Sequence, residues 1–290
     1  MSGGKVTFVG AGPGAADLIT IRGAKAITDA DVVIWAASLV HEDVLQHARP
    51  GVELVDSSRH TVEEILPVYD RAARDGLKVA RVHSGDPALW GAIQEQLERC
   101  AELGLATEVV PGVSAFSATA AVMQRELTIP EVGQSVILTR LEGGKTPMPQ
   151  GESVREFACH GTTMALFLSA ARSKVLQDEL LAGGYPPETP CIVGYRVTWP
   201  DEQITECRLD QLAATIKDAG WHKHTLVLVG PALGAGGTRS QLYHPGHFNE
   251  FRRADPDERA KVRDATRARR RGATSDECSS DERPAMSDPR

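Results

Sequence analysis

The chain has 290 residues, of which 41% are hydrophobic and 24% are charged, and its formal net charge at neutral pH is −7. This is the composition of an ordinary globular protein, so a chain that is disordered throughout is excluded. The negative charge also argues against a dedicated nucleic-acid-binding protein, because phosphate neutralisation needs a clustered basic surface. A small anionic ligand is still compatible with this charge, since a few local arginines can bind it.

The cysteines and histidines give no sign of a metal site. The five cysteines are scattered without a CxxC pair, which fits a reducing compartment and no structural zinc. The close pairs His222/His224 and His244/His247 have no carboxylate or cysteine at metal-ligand spacing. The N-terminus lacks the pattern of a signal peptide, and no apolar run approaches the roughly 20 residues that span a bilayer. We therefore expect a cytoplasmic protein without a metal or a membrane segment.

Short β-branched runs alternate with helical patterns through the first 140 residues. Strands are predicted at 6–9, 31–35, 78–82, 108–110 and 136–139, and helices at 24–28, 62–73, 89–103 and 114–123. Strands that are apolar on both faces and alternate with helices indicate a mostly parallel sheet covered by helices. We assign residues 1–140 to an N-terminal α/β domain that carries the glycine-rich turns.

A loop and a second α/β region follow. Residues 142–150 read EGGKTPMPQ, and their glycines and prolines lack any periodicity, so residues 141–152 are predicted to be a linker loop. Residues 153–248 are assigned to a C-terminal α/β domain. Its predicted helices are 154–158, 174–181 and 209–218, and its predicted strands are 164–168, 191–197, 203–206 and 226–229.

The composition changes again after residue 248. Residues 249–290 are rich in Arg, Asp, Glu, Ser and Ala and contain almost no large apolar side chain. Such a segment cannot bury enough surface to offset its ordering entropy, so we expect a disordered tail. The alternative is a basic helical arm from Arg263 to Arg271.

The first predicted strand ends in a glycine-rich turn. Its residues, GAGPGA at 10–15, match the dinucleotide fingerprint G-x-G-x-x-A in form. However, Pro13 has no N–H to offer a pyrophosphate. The second strand ends in Ala36-Ala37-Ser38, without the acid that binds the ribose of a dinucleotide. A nicotinamide dinucleotide is therefore disfavoured, while a tight turn without any ligand stays an alternative.

A second turn follows the strand at 78–82. It reads HSGDP, and Asp86 with Pro87 suits the N-cap and first residue of the helix predicted at 89–103. Capping explains Asp86, but it does not explain Ser84 and Gly85 at the end of a strand, where ligands bind in open sheets.

The third turn, VPGVSA at 110–115, places Ser114 at the start of a helix of small residues. Small residues permit close packing on a sheet, and they also leave space for an adenosine. Together the three turns favour a nucleotide-like ligand that is not a dinucleotide.

In order and spacing, these segments resemble the tetrapyrrole methylase family, the S-adenosylmethionine enzymes of sirohaem and cobalamin synthesis. The likeness is carried by VGAGPG with LIT, by HSGDPALWGAI and by VVPGVSAF. SGDPALWGAIQEQ, ELTIPEVGQSVILTR and HGTTMALFLSA resemble the family's precorrin-4 C11-methyltransferase branch. The resemblance covers roughly residues 5–247. Family members usually carry Asp-Pro after the first turn, where this chain has Ala15-Ala16.

The resemblance implies two α/β domains with the active-site trough between them, generally in a homodimer, and S-adenosyl-L-methionine as the cofactor. Nine residues would contact the cofactor, mostly through the backbone: Pro13, Ser84, Gly85, Asp86, Ser114, Ala115, Leu168, Pro231 and Ala232. The Asp86 side chain would engage the sulfonium or amino end. For Leu168 and Pro231, core packing and strand termination are equally good explanations.

The resemblance also implies methyl transfer to C11 of precorrin-4 or cobalt-precorrin-4, or else to another tetrapyrrole position. The acceptor carries acetate and propionate groups, so four basic residues become candidates for binding it: Arg140, Lys145, Arg172 and Arg196. Each could equally be a solvated surface charge.

The transfer is an in-line displacement that needs no metal and no covalent enzyme intermediate, so holding the reactants in line would supply most of the catalysis. No catalytic residue is assigned, because the sequence does not distinguish His83 from His160 as a base. A Rossmann oxidoreductase and a non-catalytic nucleotide-sensing module stay alternatives.

Overall fold

The computed structural model describes residues 3–143, 146–236, 240–247 and 250–276. Residues 1–236 make up one compact unit and residues 237–290 a second. Within the described residues, no helix combines the length and the apolar character needed to cross a membrane.

The first unit begins with a sheet whose strands are all parallel. They lie in the order β3-β2-β4-β1-β5 and are β1 (Lys5–Gly10), β2 (Val32–Trp35), β3 (Glu53–Asp56), β4 (Lys78–His83) and β5 (Ala106–Val110). The helices of this half are α1 (Ile21–Thr28), α2 (Val62–Asp75), α3 (Gln94–Glu102) and α4 (Ala115–Val122). Because the strands are parallel, their C-terminal ends meet at one edge, where ligands bind in open sheets.

Alternating side chains of the central strand β1 supply the cores on both faces of this sheet. Val6 and Phe8 pack with Tyr69 of α2 on one face, whereas Val9 packs with Ile27 of α1 on the other. All five side chains are fully buried. The period of two along the strand thus places apolar groups on both faces, as a sheet covered by helices on both sides requires.

A second, mixed sheet completes the first unit. Its order is β6-β7-β10-β8-β9, with β6 (Val136–Arg140), β7 (Thr163–Phe167), β8 (Pro190–Tyr195), β9 (Gln203–Arg208) and β10 (Thr225–Val229). Only β6 and β7 pair in parallel; the other neighbouring strands are antiparallel. One face is covered by α5 (Val154–Ala158), α6 (Ser173–Ala182) and α7 (Leu212–Ala219), and α4 packs on the other. The chain therefore has the expected α/β architecture of two sheets with helices.

The predicted boundary between the two halves needs correction. The strand at 136–139 was assigned to the N-terminal domain, but β6 pairs with β7, from Val136 opposite Thr163 to Arg140 opposite Phe167. It therefore belongs to the second sheet. The loop at 141–152 follows this strand and does not join the two sheets; residues 111–135, between β5 and β6 and including α4, do so. An apolar strand has the same pattern in either sheet, so its pairing could not be predicted.

The second unit contains α8 (Pro256–Asp276). An Asp255 carboxylate oxygen accepts hydrogen bonds from the backbone N–H groups of Asp257 (3.0 Å) and Glu258 (3.1 Å), which caps the helix start. Over these residues the structure has a helix, the alternative left open above, and not the expected disordered tail. The segment is rich in Ala and Arg, which favour helix even without a core. Residues 277–290 lie outside the described part of the chain.

Candidate functional site

The three glycine-rich turns lie against one another at the C-terminal edge of the first sheet. The N–H of Gly85 donates to the carbonyl oxygen of Gly12 at 2.7 Å, and the N–H of Gly12 donates to the carbonyl oxygen of Gly85 at 3.3 Å. A Cβ at Gly112 would lie 2.1 Å from the carbonyl oxygen of Gly85, and one at Gly10 would lie 2.5 Å from the backbone nitrogen of Gly112. At these positions glycine is required because the three backbones approach so closely.

The Asp86 carboxylate ties the second turn to the third. Its Oδ1 accepts a hydrogen bond from the Ala88 N–H at 2.8 Å, and its Oδ2 accepts one from the Gly112 N–H at 3.3 Å. The prediction that Asp86 caps a helix beginning at residue 89 is wrong, since α3 begins at Gln94. Trp90 and Ala92 have positive φ values of 54° and 48°, which no α-helix contains.

The loop after β8 holds the first turn from the side of the second sheet. The indole Nε1 of Trp199 donates to the carbonyl oxygen of Pro13 at 2.9 Å, and the Ala15 N–H donates to the Thr198 hydroxyl at 3.0 Å. A Cβ at Gly14 would lie 2.2 Å from Cδ1 of Trp199. The two halves of the first unit are thereby joined at the turn where a cofactor is expected.

The backbone of this loop is strained. Arg196 and Thr198 have φ values of 46° and 68°, a left-handed conformation that branched and long side chains rarely adopt. Two hydrogen bonds hold it: the Arg196 N–H donates to the carbonyl oxygen of His224 at 2.9 Å, and the Thr198 N–H donates to a carboxylate oxygen of Glu202 at 2.6 Å. Strain of this kind persists where the surroundings fix it, commonly at functional sites.

A cavity of about 590 Å³ lies between the turns of the first sheet and the facing edge of the second. Seven of the nine predicted cofactor residues line it: Pro13, Ser84, Gly85, Asp86, Ser114, Ala115 and Leu168. Leu168 has a φ of 52° and is 74% exposed, so the explanation by core packing does not apply to it. The volume is within the usual range of small-molecule sites.

The other two predicted cofactor residues, Pro231 and Ala232, do not line this cavity. Their contact with the cofactor was implied by the family resemblance. Strand β10 runs antiparallel to β7 and β8, so Thr225 at its start pairs with Tyr195 at the end of β8. The turn after β10 therefore lies at the far edge of the sheet. The residues before β10, His222, Lys223 and His224, line the cavity in its place.

Of the predicted substrate-binding residues, Arg196 lines the cavity, whereas Arg140 and Arg172 do not. The Arg140 guanidinium donates to the carbonyl oxygens of Leu141 (3.2 Å) and Thr146 (3.3 Å). Arg172 Nη1 donates to the carbonyl oxygen of Glu142 at 2.5 Å. These two arginines hold the loop after β6. Lys145 lies outside the described residues.

Neither candidate base lines the cavity. His83 is buried, and burial, together with the nearby Arg81 charge, lowers the pKa of its imidazole to about 3. Its Nε2 has no hydrogen-bond partner in the described part of the chain. His160 is exposed, after α5. His83 is therefore a neutral core residue, and the histidines that reach the cavity are His222 and His224.

Sequence reasoning missed the aromatic residues of the cavity. Trp90 packs on Phe167 across the two sheets, with ring centroids 4.7 Å apart, and both rings line the cavity together with that of Trp199. Single aromatic residues in loops or at a strand end carry no distinguishing pattern, so no signal in one sequence could have found them. Within the described residues, no group of three or more His, Cys, Asp and Glu side chains is placed to hold a metal ion.

Comparisons with known proteins agree with this geometry. A family model described as Tetrapyrrole (Corrin/Porphyrin) Methylases matches residues 5–213. The cobalt-precorrin-4 C(11)-methyltransferase of Methanocaldococcus jannaschii is 43% identical over 251 residues, which are 86% of this chain and 96% of that protein. The precorrin-4 C(11)-methyltransferase of Mycobacterium tuberculosis is 43% identical over 247 residues, which are 85% of this chain and 98% of that protein.

Two solved structures share the fold. A cobalt precorrin-4 methyltransferase, described as a cobalamin biosynthetic enzyme, superposes with a TM-score of 0.76 at 42% identity, covering 79% of this chain and 95% of that one. The uroporphyrin-III C-methyltransferase of Thermus thermophilus in complex with S-adenosyl homocysteine superposes with a TM-score of 0.66 at 27% identity, covering 80% of this chain and 99% of that one.

Proposed function

This chain belongs to the tetrapyrrole methylase family, and on that premise we propose that it methylates C11 of precorrin-4 or cobalt-precorrin-4, with S-adenosyl-L-methionine as the methyl donor. The reaction is a step of cobalamin (corrin) biosynthesis. One relative named for precorrin-4 and one named for cobalt-precorrin-4 are both 43% identical to this chain. Both substrates therefore have to be tested. The alternative is methylation at another tetrapyrrole position.

The observation that carries this proposal is the convergence of all three glycine-rich turns on one cavity. Hydrogen bonds between the turns fix their backbones before any ligand arrives, so little ordering is left for the binding step. Trp199 and Leu168, which follow strands of the second sheet, line the cavity on the other side. A ligand in it would lie between the edges of the two sheets.

The lining residues fit the proposed cofactor. A Cβ added at Gly85 would have the Ser114 Cα, 3.9 Å away, as its nearest neighbour. There is therefore room beside the Gly85 backbone for a ligand. Asp86 is the one acidic side chain among the described residues that line the cavity. A single carboxylate suits the cationic methionine end of S-adenosylmethionine, and the glycine and serine residues around it suit backbone contacts.

The residues that line the cavity would act by positioning the methyl donor and the acceptor. When bound, the cofactor supplies an electrophilic sulfonium methyl, which an electron-rich ring carbon attacks with loss of the C–S bond. The turns at Gly85 and Ser114 would hold the donor, and the aromatic rings of Trp90 and Phe167 would exclude water from the line of transfer. Fixing the attacking carbon, the methyl carbon and the leaving sulfur in line can lower the barrier by about 7–11 kcal/mol.

The Rossmann alternative has little support in the geometry. A dinucleotide site needs an acid at the end of the second strand to bind a ribose. Here Asp56, at the end of the neighbouring strand β3, accepts hydrogen bonds from the backbone N–H groups of Ala37 (3.1 Å) and Ser58 (2.9 Å). The Asp56 carboxylate is therefore occupied by backbone hydrogen bonds rather than directed toward a ribose.

The experiment is a methyl-transfer assay with the purified full chain, S-adenosylmethionine and enzymatically prepared tetrapyrroles. We expect precorrin-4 or its cobalt form to gain one methyl group by mass spectrometry, and uroporphyrinogen III to gain none. Calorimetry in parallel should show binding of S-adenosylhomocysteine and not of NADH. Methylation of uroporphyrinogen III alone would support the alternative position, and binding of NADH alone would overturn the proposal.

We also propose that the enzyme is a cytoplasmic homodimer, as the resemblance to the family implies. Sedimentation equilibrium of the purified chain should give twice the monomer mass of 31.2 kDa. Cell fractionation should recover the chain with cytosolic markers. A monomer that transfers methyl groups at full rate would contradict the proposed dimer without affecting the proposed reaction.

A further inference from the structure

The charges around the cavity are unevenly distributed between its two walls. The first-sheet wall carries Asp86, whereas the second-sheet wall carries Arg196 and Lys223. Arg196 is already committed: its Nη1 pairs with the Asp201 carboxylate at 2.5 Å, and its guanidinium lies 4.6 Å from the centroid of the Trp199 indole. Its charge is therefore largely balanced.

Lys223 differs from Arg196 in this respect. Its side chain is exposed at the cavity wall, and no ion pair of Lys223 occurs within the described ranges. Burial lowers the pKa of the neighbouring His224, the charges of Arg196 and Lys223 lower it further, and Asp201 acts in the opposite sense. Asp201 is paired with Arg196, so the charge of Lys223 leaves this end of the cavity with a net positive charge.

The backbone that presents Lys223 is fixed. The Thr225 hydroxyl lies within hydrogen-bond distance of the carbonyl oxygens of Lys223 (2.9 Å) and Trp221 (3.1 Å) and shares its one proton between them. The His224 carbonyl accepts the Arg196 N–H, and His224 itself has a φ of 54°. The lysine is therefore carried on an ordered turn between α7 and β10, and only its flexible side chain needs to be ordered when a ligand binds.

We propose that Lys223 binds a carboxylate of the tetrapyrrole and so contributes to the choice of substrate. This inference rests on the proposed function, which supplies an acceptor with several acetate and propionate groups. An ammonium on a flexible stem is a point charge that can follow a carboxylate, while Arg196 is kept against Trp199 by its contacts. Lys223 was not among the residues predicted from the sequence, because its place in the site depends on the direction of β10.

The test compares Lys223→Gln with Lys217→Gln, a matched change of an exposed lysine on α7 that does not line the cavity. We expect Lys223→Gln to raise the KM for precorrin-4 by roughly three- to tenfold, the range between an exposed ion pair and a charge-assisted hydrogen bond. The dissociation constant of S-adenosylhomocysteine and kcat should stay unchanged. Lys223→Arg should restore most of the KM, and Lys217→Gln should behave as wild type.

A second substrate isolates the carboxylate contact. With precorrin-4 whose side chains are methyl esters, wild type and Lys223→Gln should have the same KM, because the ester has no charge to lose. An unchanged KM of Lys223→Gln for the free acid would overturn the inference, as would equal weakening of tetrapyrrole and S-adenosylhomocysteine binding. Failure of the proposed function is distinct from both, since wild type would then methylate no precorrin at all.

Discussion

The indole Nε1 of Trp199 donates a hydrogen bond of 2.9 Å to the carbonyl oxygen of Pro13, and these two residues are 186 positions apart. The same ring contacts the imidazoles of His41 and His224, with centroid distances of 5.0 and 5.7 Å. One side chain of the second sheet thus fixes the first glycine-rich turn.

Trp199→Phe keeps an aromatic ring but removes this hydrogen bond. Because the Pro13 carbonyl loses its donor, we expect the free energy of unfolding to fall by about 1–2 kcal/mol, and the less firmly held turn to bind S-adenosylhomocysteine more weakly, measured by calorimetry. Trp35→Phe is the control, since Trp35 is also partly buried but does not line the cavity. Equal effects of the two changes would show that the Trp199 bond has no special part in cofactor binding.

Asp86→Asn separates the electrostatic part of Asp86 from its structural part. The amide can still accept from Ala88, but its NH₂ then faces the Gly112 N–H, so we expect about 1–2 kcal/mol less stability. If the carboxylate also faces the amino end of the cofactor, S-adenosylhomocysteine should lose affinity while methylthioadenosine, which lacks the amino acid, keeps its own. Parallel losses for the two ligands would leave Asp86 a purely structural role.

The sequence could predict what depends on local pattern, and much less of what depends on pairing. The turns at Gly12, Gly85 and Gly112 each follow a strand, and the C-terminal ends of parallel strands meet at one edge of their sheet. The direction of β10 is different, because a short apolar strand has the same composition in both directions. Pro231, after this strand, was assigned to the site from the family resemblance, whereas Lys223, before it, lines the cavity.

Arg140→Ala tests the corrected role of a predicted substrate residue. Its guanidinium donates to the carbonyl oxygens of Leu141 and Thr146, so its loss should expose the loop after β6. We expect faster hydrogen exchange at residues 141–143 and a change in substrate binding within about 0.5 kcal/mol, as for a surface position. A rise in the KM for precorrin-4 larger than that of Lys223→Gln would instead put Arg140 in contact with the substrate.

His83 should make stability depend on pH. Its folded pKa of about 3 lies below the ordinary 6.5, so between these values the unfolded chain binds more protons. The contribution of neutral His83 to the free energy of unfolding is therefore complete above pH 6.5 and is lost as the pH falls toward 3. At pH 5 the free energy of unfolding is lower by about 2 kcal/mol. Urea unfolding of His83→Phe should lose this part of the slope between pH 7 and 5, whereas His160→Phe, at an exposed position, should keep it. Identical slopes for wild type and His83→Phe would refute this assignment.

The enzyme is expected to move one methyl group from S-adenosylmethionine to C11 of precorrin-4 or its cobalt form. The most direct measurement uses S-adenosylmethionine labelled with ¹³C in its methyl group, followed by carbon NMR of the isolated product. We predict a single labelled methyl resonance whose long-range couplings place it on C11, together with one equivalent of S-adenosylhomocysteine. A labelled methyl group on any other ring carbon, or an unlabelled tetrapyrrole, would contradict the account.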